Sequence, residues 1–241
     1  MQKLTPALVA EAIGTFGLCF VGIMAIHVHA IQHEAGLISV ALAHGLILAI
    51  MISIFAATSG GHLNPAVTLG LLAGGKIKGG PAVGYIIAQC IGGILAGFAV
   101  MAIFPQDPKA ADFGRTIVLQ GTPAMADGSG ITQISLIGGC IAEAIATFFL
   151  VTAVWGTAVD PRAPKIGGFG IGLTVAADIL AIGPLTGAAM NPARAFGPAV
   201  AATIAGGHYD WANHWVYWIG PVAGGVLASV IYRFLIMKDV K

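Results

Sequence analysis

The chain has 241 residues, of which 57% are hydrophobic and only 9% are charged, and its formal net charge at pH 7 is +1. Soluble domains carry about a quarter charged residues, so this composition indicates a protein that crosses a membrane several times. The near-zero charge argues against a nucleic-acid partner, because no basic stripe is available to neutralise phosphates.

Six apolar runs are long enough to cross a bilayer, which takes about 20 helical residues. In chain order they lie near residues 6–26, 37–58, 81–103, 134–156, 167–183 and 215–236. Strands of a lipid-facing barrel would alternate apolar and polar residues, and these runs do not. The predicted fold class is therefore an all-α membrane protein. The three cysteines, Cys19, Cys90 and Cys140, lie inside these runs and are expected to be free thiols rather than metal ligands.

The two halves of the chain are related in sequence. "VAEAIGTFGL" at 9–18 recurs as "IAEAIATFFL" at 141–150, so Glu11 corresponds to Glu143, 132 positions later. "QCIGGILAG" at 89–97 matches "PVAGGVLAS" at 221–229 with the same offset. We expect one integral domain built from two repeats of three spans. The first repeat and an outer connecting loop occupy 1–130, and the second repeat occupies 131–241.

The distribution of lysine and arginine indicates the orientation, because these residues collect on the cytoplasmic side. If both termini share one side, that side carries Lys3, Lys76, Lys78, Arg162, Lys165, Arg233, Lys238 and Lys241, and the other carries only Lys109 and Arg115. We therefore expect a multi-pass protein with both termini cytoplasmic, in a cell membrane rather than an organelle membrane. Three spans per half then make the second repeat enter from the opposite face, so the repeats are inverted.

Each half contains one Asn-Pro-Ala tripeptide: Asn64, Pro65 and Ala66 in the first, and Asn191, Pro192 and Ala193 in the second. Asparagine is a favoured N-cap, and proline suits the first helical position because its missing N–H is not needed there. The apolar runs that follow, 64–74 and 191–203, are too short to span, so each predicts a half-helix. Inverted repeats bring the two half-helices in from opposite faces, with their amino ends meeting near the midplane.

Such a meeting point holds two positive helix ends and two asparagine amides. A water molecule there can accept from both amides while upstream carbonyls accept its hydrogens, and paired half-helix dipoles oppose protons and cations. One Asn-Pro-Ala alone would indicate only a capped helix. Two copies in inverted halves indicate a passive channel.

These motifs resemble those of the aquaporin, or major intrinsic protein, family over essentially the whole chain. "GGHLNPAVT", "MNPARAFGPAVAA", "VDPRAPKIGG" and "HWVYWIGP" are most similar to the family's tonoplast-intrinsic branch. The resemblance implies a right-handed bundle of six spans and two half-helices. It also implies a passive water channel with no enzymatic activity, metal or cofactor, which sits in the lipid bilayer as a homotetramer with one pore per subunit.

The resemblance further implies an outer selectivity filter of four residues, here His44, Ile179, Ala188 and Arg194. Arg194 also has a physical rationale, since a permanently charged fork of donors orients water and repels cations. His44 paired with Ile179 is similar to tonoplast-type channels that pass ammonia as well as water. Those channels carry a histidine in the loop equivalent to 104–131, and this chain has none there, which weakens the ammonia hypothesis.

Two other functions stay as alternatives. Glycerol facilitators of the family have an aspartate directly after the filter arginine, whereas this chain has Ala195, so glycerol or small-solute facilitation is less favoured. An ion-coupled secondary transporter can also use inverted repeats and broken helices, but it is a remote alternative because intramembrane acids are few. No catalytic motif of an intramembrane enzyme is found.

Three acidic residues lie within apolar runs. Glu11 and Glu143 could couple protons. The family resemblance implies instead a bracing role, in which each accepts hydrogen bonds from the loop of a half-helix, and their repeat-related positions favour this role. Asp178 lies beside Ile179, where it could bond the His44 ring and support the filter, or could face a contact between spans. The sequence leaves both open.

Overall fold

The structure, a computed structural model, describes residues 4–32, 36–105, 116, 134–164, 166–207 and 209–238, without the side chains of 30–32. The expected boundary between the repeats at residue 130 lies outside this part of the chain. The same holds for most of the outer connection 104–131, of which Phe104, Pro105 and Thr116 are described.

Eight α-helices make up most of the described chain, and no strand occurs in it. They are α1 (Leu4–Gln32), α2 (Gly36–Phe55), α3 (Pro65–Ala73), α4 (Gly79–Ile103), α5 (Leu136–Val154), α6 (Gly167–Thr186), α7 (Pro192–Ile204) and α8 (Val216–Ile231). Helices α5 and α8 each continue into a π-helical turn, Trp155–Val159 and Tyr232–Ile236. The six helices other than α3 and α7 lie in segments that are long and apolar enough to cross a membrane, and the segments with α5 and α8 include these turns, as Leu136–Val159 and Trp211–Ile236. This confirms the all-α fold with six spans.

The outer surface of the bundle is apolar, as a lipid environment requires. Large hydrophobic side chains point outward from every long helix, and Ile38, Ile137 and Leu235 are each about two-thirds exposed in the isolated chain. Polar and charged side chains such as Glu11 and Glu143 are instead fully buried inside the bundle. This inside-out distribution places the polar machinery along the centre of the bundle, away from the lipid.

The short helices α3 and α7 begin at the two tripeptides. Asn64 and Asn191 are the N-caps, in extended backbone conformation, and a proline occupies the first helical position of each helix. The Asn64 side chain accepts from the Ala66 N–H at 2.8 Å, and the Asn191 side chain accepts from the Ala193 N–H at 3.0 Å. These bonds satisfy amide groups that a helix start leaves without partners.

The two halves are related by a two-fold arrangement that is visible where α2 crosses α6. Gly45 and Gly172 occupy equivalent positions, 127 residues apart. A Cβ atom on Gly45 would lie 2.5 Å from the Gly172 carbonyl oxygen, and one on Gly172 would lie 2.2 Å from the Gly45 carbonyl oxygen. Because exchanging the halves returns the same contact, an axis of pseudo-symmetry passes through this crossing. Only glycine permits the backbones to come so close.

Each half-helix packs against a long helix of the other half. Helix α3, from the first half, lies against α8, and α7, from the second half, lies against α4. The two repeats are therefore interlocked around the centre of the bundle, and the site below takes residues from both.

Candidate functional site

The two asparagines hold each other's half-helix in place. The Asn64 amide nitrogen donates to the Met190 carbonyl oxygen at 2.8 Å, and the Asn191 amide nitrogen donates to the Leu63 carbonyl oxygen at 2.9 Å. Each bond runs from one N-cap to the residue that precedes the other N-cap. The amino ends of α3 and α7 therefore abut. One hydrogen of each side-chain amide is used in this bond, and the second stays available.

Leu63 and Met190, which precede the two asparagines, adopt a left-handed backbone that bulky residues rarely occupy. Their φ angles are 51° and 50°. This conformation costs on the order of 1–3 kcal/mol per residue, so the surroundings must enforce it. Both side chains are buried, and both carbonyl groups are held by the asparagine of the opposite half. This strained turn directs a carbonyl of each half to the other.

The carboxylates of Glu11 and Glu143 accept hydrogen bonds from the backbone N–H groups of the same two turns. Glu11 accepts from the N–H groups of His62 and Leu63 at 2.9 and 2.6 Å. Glu143 accepts from the N–H of Met190 at 2.6 Å, and also from the N–H of Ala189 and the hydroxyl of Thr186. Each carboxylate thus satisfies several donors of one half-helix loop, which is the geometry that the bracing hypothesis requires.

Two further pairs of residues complete this bracing, and sequence reasoning missed them. Ser59 and Thr186 donate to Glu11 and Glu143 at 2.6 and 2.7 Å. The hydroxyls of Tyr85 and Tyr217 donate to the carbonyls of Ser59 and Thr186, both at 2.8 Å. The offsets of the repeat relate the members of each pair, so applying those offsets to every polar residue would have found them.

A cavity inside the bundle, termed the channel, runs past the two asparagines. Asn64 and Asn191 line it together with the four predicted filter residues at one end and His62 at the other. His62 also lines a wider vestibule that includes Lys76 and Ile166. The remaining wall is mostly apolar, built from Leu18, Leu48, Ile52, Val67, Leu150, Val154, Ile171 and Val175. Polar contacts are therefore confined to a few places along an apolar tube.

The four predicted filter residues come together on this channel. Arg194 is 5% exposed and Ile179 is 4% exposed, so both lie inside the bundle. An Arg194 guanidinium nitrogen, Nη2, lies 3.5 Å from His44 Nε2. The other ring nitrogen, Nδ1, lies 2.8 Å from the Val40 carbonyl oxygen, which can only accept, so Nδ1 carries the proton and Nε2 is an acceptor.

Gly22 of α1 makes room for the His44 ring, a role that sequence reasoning did not identify. A Cβ atom at this position would lie 2.2 Å from His44 Nε2. Without the glycine, the ring would have to move from its place beside Arg194. The sequence signal for this residue is weak, because α1 contains several glycines.

Asp178 does not support the filter. It lies in a groove between α5 and α6, beside Phe149, Thr152 and Tyr232, whereas His44 is bonded to Val40 and Arg194. The Oδ2 atom is buried without a hydrogen-bond partner in the described chain. Of the two alternatives that the sequence left open, the structure shows the contact between spans, and filter support is wrong. The reason is helix geometry: Ile179 faces the channel, and its neighbour points about 100° away.

A charged turn follows α5 near the vestibule. Arg162 donates to both carboxylate oxygens of Asp160, with the shortest distance 2.6 Å, and also to the Ile236 carbonyl. The guanidinium of Arg162 lowers the pKa of Asp160 to about 2. This ion pair joins the turn after α5 to the end of α8, beside the vestibule residue Val159.

Comparison with known proteins agrees with this architecture. The family described as "Major intrinsic protein" matches residues 1–232. "Aquaporin TIP4-4" of Zea mays is 44% identical over 207 residues, which cover 85% of this chain and 73% of that one. "Aquaporin TIP2-1" of Arabidopsis thaliana is 40% identical over 240 residues, covering 96% and 87%.

A solved structure shares the fold at low sequence identity. The X-ray structure of the aquaglyceroporin from Plasmodium falciparum superposes with a TM-score of 0.82 over 99% of both chains, at 24% identity. The family match, the TIP-type relatives and the shared fold together show that this chain belongs to the major intrinsic protein family.

Proposed function

We propose that this protein, a passive water channel of a membrane, conducts water in single file past Asn64 and Asn191. The observation that carries the proposal is the pair of reciprocal bonds from these amides to Met190 and Leu63. Each bond fixes an amide group and leaves one of its hydrogens for the channel that both asparagines line. A passing water molecule can therefore accept from two fixed donors at the centre of an apolar tube.

Charged permeants meet two barriers in this arrangement. The amino ends of α3 and α7 carry the positive ends of their helix dipoles and point at the same place, which opposes cations. Arg194 adds a permanent positive charge at the filter. A water molecule held by two donors points its hydrogens away from the centre in both directions, so a proton cannot be passed along a continuous chain.

The filter residues support water and, as a second permeant, ammonia. Ile179 gives the filter an apolar wall, while His44 Nε2 and Arg194 provide an acceptor and donors on the polar side. A small neutral molecule that both donates and accepts fits this combination. Glycerol fits less well, because Ala188 offers no side-chain partner for a polyol and Ala195 stands where the family's glycerol facilitators have a carboxylate.

The carboxylates of Glu11 and Glu143 argue for bracing rather than ion coupling. All four of their oxygens accept from donors of the half-helix loops or of Gln89. A proton carrier in a secondary transporter needs a carboxylate that exchanges protons with the transport path. These carboxylates are fully buried and committed to structural bonds.

The same family resemblance supports a homotetramer with one pore per subunit and both termini on the cytoplasmic side. Cross-linking of the protein in native membranes should give a four-chain species. A tag at either terminus should be accessible only from the cytoplasmic face. A single-chain species would overturn the proposed homotetramer. A tag that is accessible from the opposite face would overturn the proposed cytoplasmic termini.

Stopped-flow light scattering on proteoliposomes tests the permeants. We expect water permeability well above that of empty vesicles, linear in the osmotic gradient and unaffected by ionophores. Equal permeability of loaded and empty vesicles would overturn the water proposal, and coupled, saturable uptake would indicate a transporter. A lumenal pH dye after an ammonia gradient tests the second permeant separately, and no difference from empty vesicles would remove it.

A further inference from the structure

A polar cluster at the vestibule side of the two asparagines has no counterpart in the second half. It consists of Gln89, Thr68 and His62, which are all buried. By the repeat offsets, the corresponding residues of the second half are Pro221, Ala195 and Ala189, which have no polar side chains. The bracing of the half-helices is duplicated without this cluster, so the cluster needs another explanation.

The hydrogens of Gln89 can be assigned from its neighbours. Its Nε2 atom lies 2.7 Å from Glu11 Oε2 and 3.0 Å from Thr68 Oγ1. A carboxylate only accepts, so the atom beside Glu11 must be the amide nitrogen. Its two hydrogens then go to Glu11 and to Thr68. The Thr68 hydroxyl therefore acts as an acceptor toward Gln89.

The hydroxyl of Thr68 has one hydrogen, and its place is also determined. Thr68 Oγ1 donates to the Asn64 carbonyl oxygen at 2.9 Å, the bond that a helical threonine commonly makes to the carbonyl four residues earlier. His62 Nδ1 lies 3.2 Å from the same hydroxyl oxygen. With the hydroxyl hydrogen committed to Asn64, this contact is a hydrogen bond only if His62 Nδ1 is the donor.

The other ring nitrogen of His62 is then an acceptor that opens to the water path. A neutral imidazole protonated at Nδ1 has a free lone pair at Nε2. His62 lines both the channel and the vestibule, and its Nε2 atom is not among the buried atoms without partners in the described chain. His44 has the same tautomer, fixed by Val40, at the filter end.

We propose that His62 is a specificity-determining residue outside the four-residue filter, held by Thr68 and Gln89 as a hydrogen-bond acceptor at the vestibule end of the single file. This deepens the proposed function and rests on it. The path then presents an acceptor at His44, two donors at the asparagines and an acceptor at His62. Water whose hydrogens point outward from the centre satisfies all of them. Ammonium has no lone pair and cannot accept from the central amides, and the positive charge of hydronium makes its one lone pair a very weak acceptor there.

Solid-state NMR of ¹⁵N-histidine-labelled protein in bilayers tests the tautomer directly, because protonated and unprotonated ring nitrogens differ widely in chemical shift. The His62 signals are assigned by their loss in a His62→Ala variant. We expect Nδ1 protonated and Nε2 unprotonated in the native protein and in Thr68→Ser. We expect a mixture of tautomers in Thr68→Val, which keeps the shape and removes the hydroxyl. Thr152→Val is the matched control, since it removes a hydroxyl bonded to a helix carbonyl away from the channel.

Water flux then tests the role of the tautomer. Thr68→Val should lower water permeability per protein about fivefold, as the loss of a hydrogen bond of about 1 kcal/mol predicts. Thr68→Ser and Thr152→Val should stay close to native. A native His62 protonated at Nε2 would overturn the proposal even if Thr68→Val does not fold. An unchanged tautomer or unchanged flux in folded Thr68→Val would also overturn it. Failure of the native protein to conduct water would instead overturn the proposed function, and the NMR result is independent of it.

Discussion

Asn64 and Met190 belong to opposite halves of the chain, and the Asn64 side-chain amide donates to the Met190 backbone carbonyl at 2.8 Å. The equivalent bond runs from the Asn191 amide to the Leu63 carbonyl. Both halves of the chain therefore build the centre of the channel. The donors that a permeant meets are the same groups that hold the half-helices together. Changes at these residues should therefore affect conduction and stability at once.

Replacing Asn191 by aspartate should show this coupling. The variant keeps the oxygen that caps α7, but it puts an acceptor 2.9 Å from the Leu63 carbonyl oxygen in place of the amide donor. We expect a loss of stability of about 1–3 kcal/mol. Water permeability should fall, and a cation leak should appear because a negative charge now faces the two helix ends. Asn213→Ala, on the exposed turn Trp211–Asn213 away from the channel, is the control. Native flux and stability in Asn191→Asp would contradict the role given to the amide.

Replacing Glu143 by glutamine should damage the fold more than it changes pH dependence. A glutamine amide has one acceptor oxygen, so at least one donor among Thr186, Ala189 and Met190 would lose its partner. Each buried donor left unsatisfied costs about 1–3 kcal/mol. The midpoint of thermal unfolding in detergent should fall, and the flux of the folded fraction should keep its native pH profile. A stable variant with a changed pH profile would favour proton coupling. Asp210→Asn, at an exposed position before the turn Trp211–Asn213, should leave both properties unchanged.

The substitution Gly22→Ala should disturb the filter although none of the four filter residues is changed. The added Cβ would lie 2.2 Å from His44 Nε2, so the ring must move away from Arg194 or into the channel. We expect lower water permeability and an altered ratio of ammonia to water flux in folded protein. Gly80→Ala is a matched control, because a Cβ there meets nothing within 4 Å. Equal fluxes in both variants would show that the position of His44 is not limiting.

The ion pair of Asp160 and Arg162 should be insensitive to mild acid. Because the pKa of Asp160 is lowered to about 2, the stabilising contribution of the pair is present above the ordinary aspartate pKa of about 3.9 and is lost only as the pH falls through about 2. Limited proteolysis of the turn should therefore be the same at neutral pH and at about pH 3, where an aspartate of ordinary pKa would be mostly protonated. Asp160→Asn should increase cleavage at both. Increased cleavage of the native turn at about pH 3 would contradict the lowered pKa.

The sequence predicted the half-helices well because their start signals are local. The runs 64–74 and 191–203 compare with Pro65–Ala73 and Pro192–Ile204 in the structure. The six spans were located within a few residues at most ends, since hydropathy follows burial in lipid closely. The first span was predicted too short, at 6–26 against Leu4–Gln32, because histidines near its end lower the local hydropathy.

The remaining features depend on tertiary contacts that residue type does not reveal. Leu63 and Met190 are bulky apolar residues, and nothing in that chemistry indicates a left-handed backbone. The tautomer proposed for His62 depends on Thr68 and Gln89. These three residues belong to three different segments of the chain. For Asp178, closeness in sequence to a filter residue suggested closeness in space, although adjacent residues on a helix face different directions.

The packing of α3 on α8 and of α7 on α4 has a consequence for biosynthesis. When the ribosome has made only the first half, α3 lacks the helix that it packs against. The Leu63 carbonyl also lacks its hydrogen-bond donor, the Asn191 amide. Helix α3 therefore stays without its final packing partner, in the translocon or among the earlier spans, until α8 is inserted. A nascent chain halted before α8 should therefore be recognised as incomplete, with its re-entrant segment open to quality-control proteases.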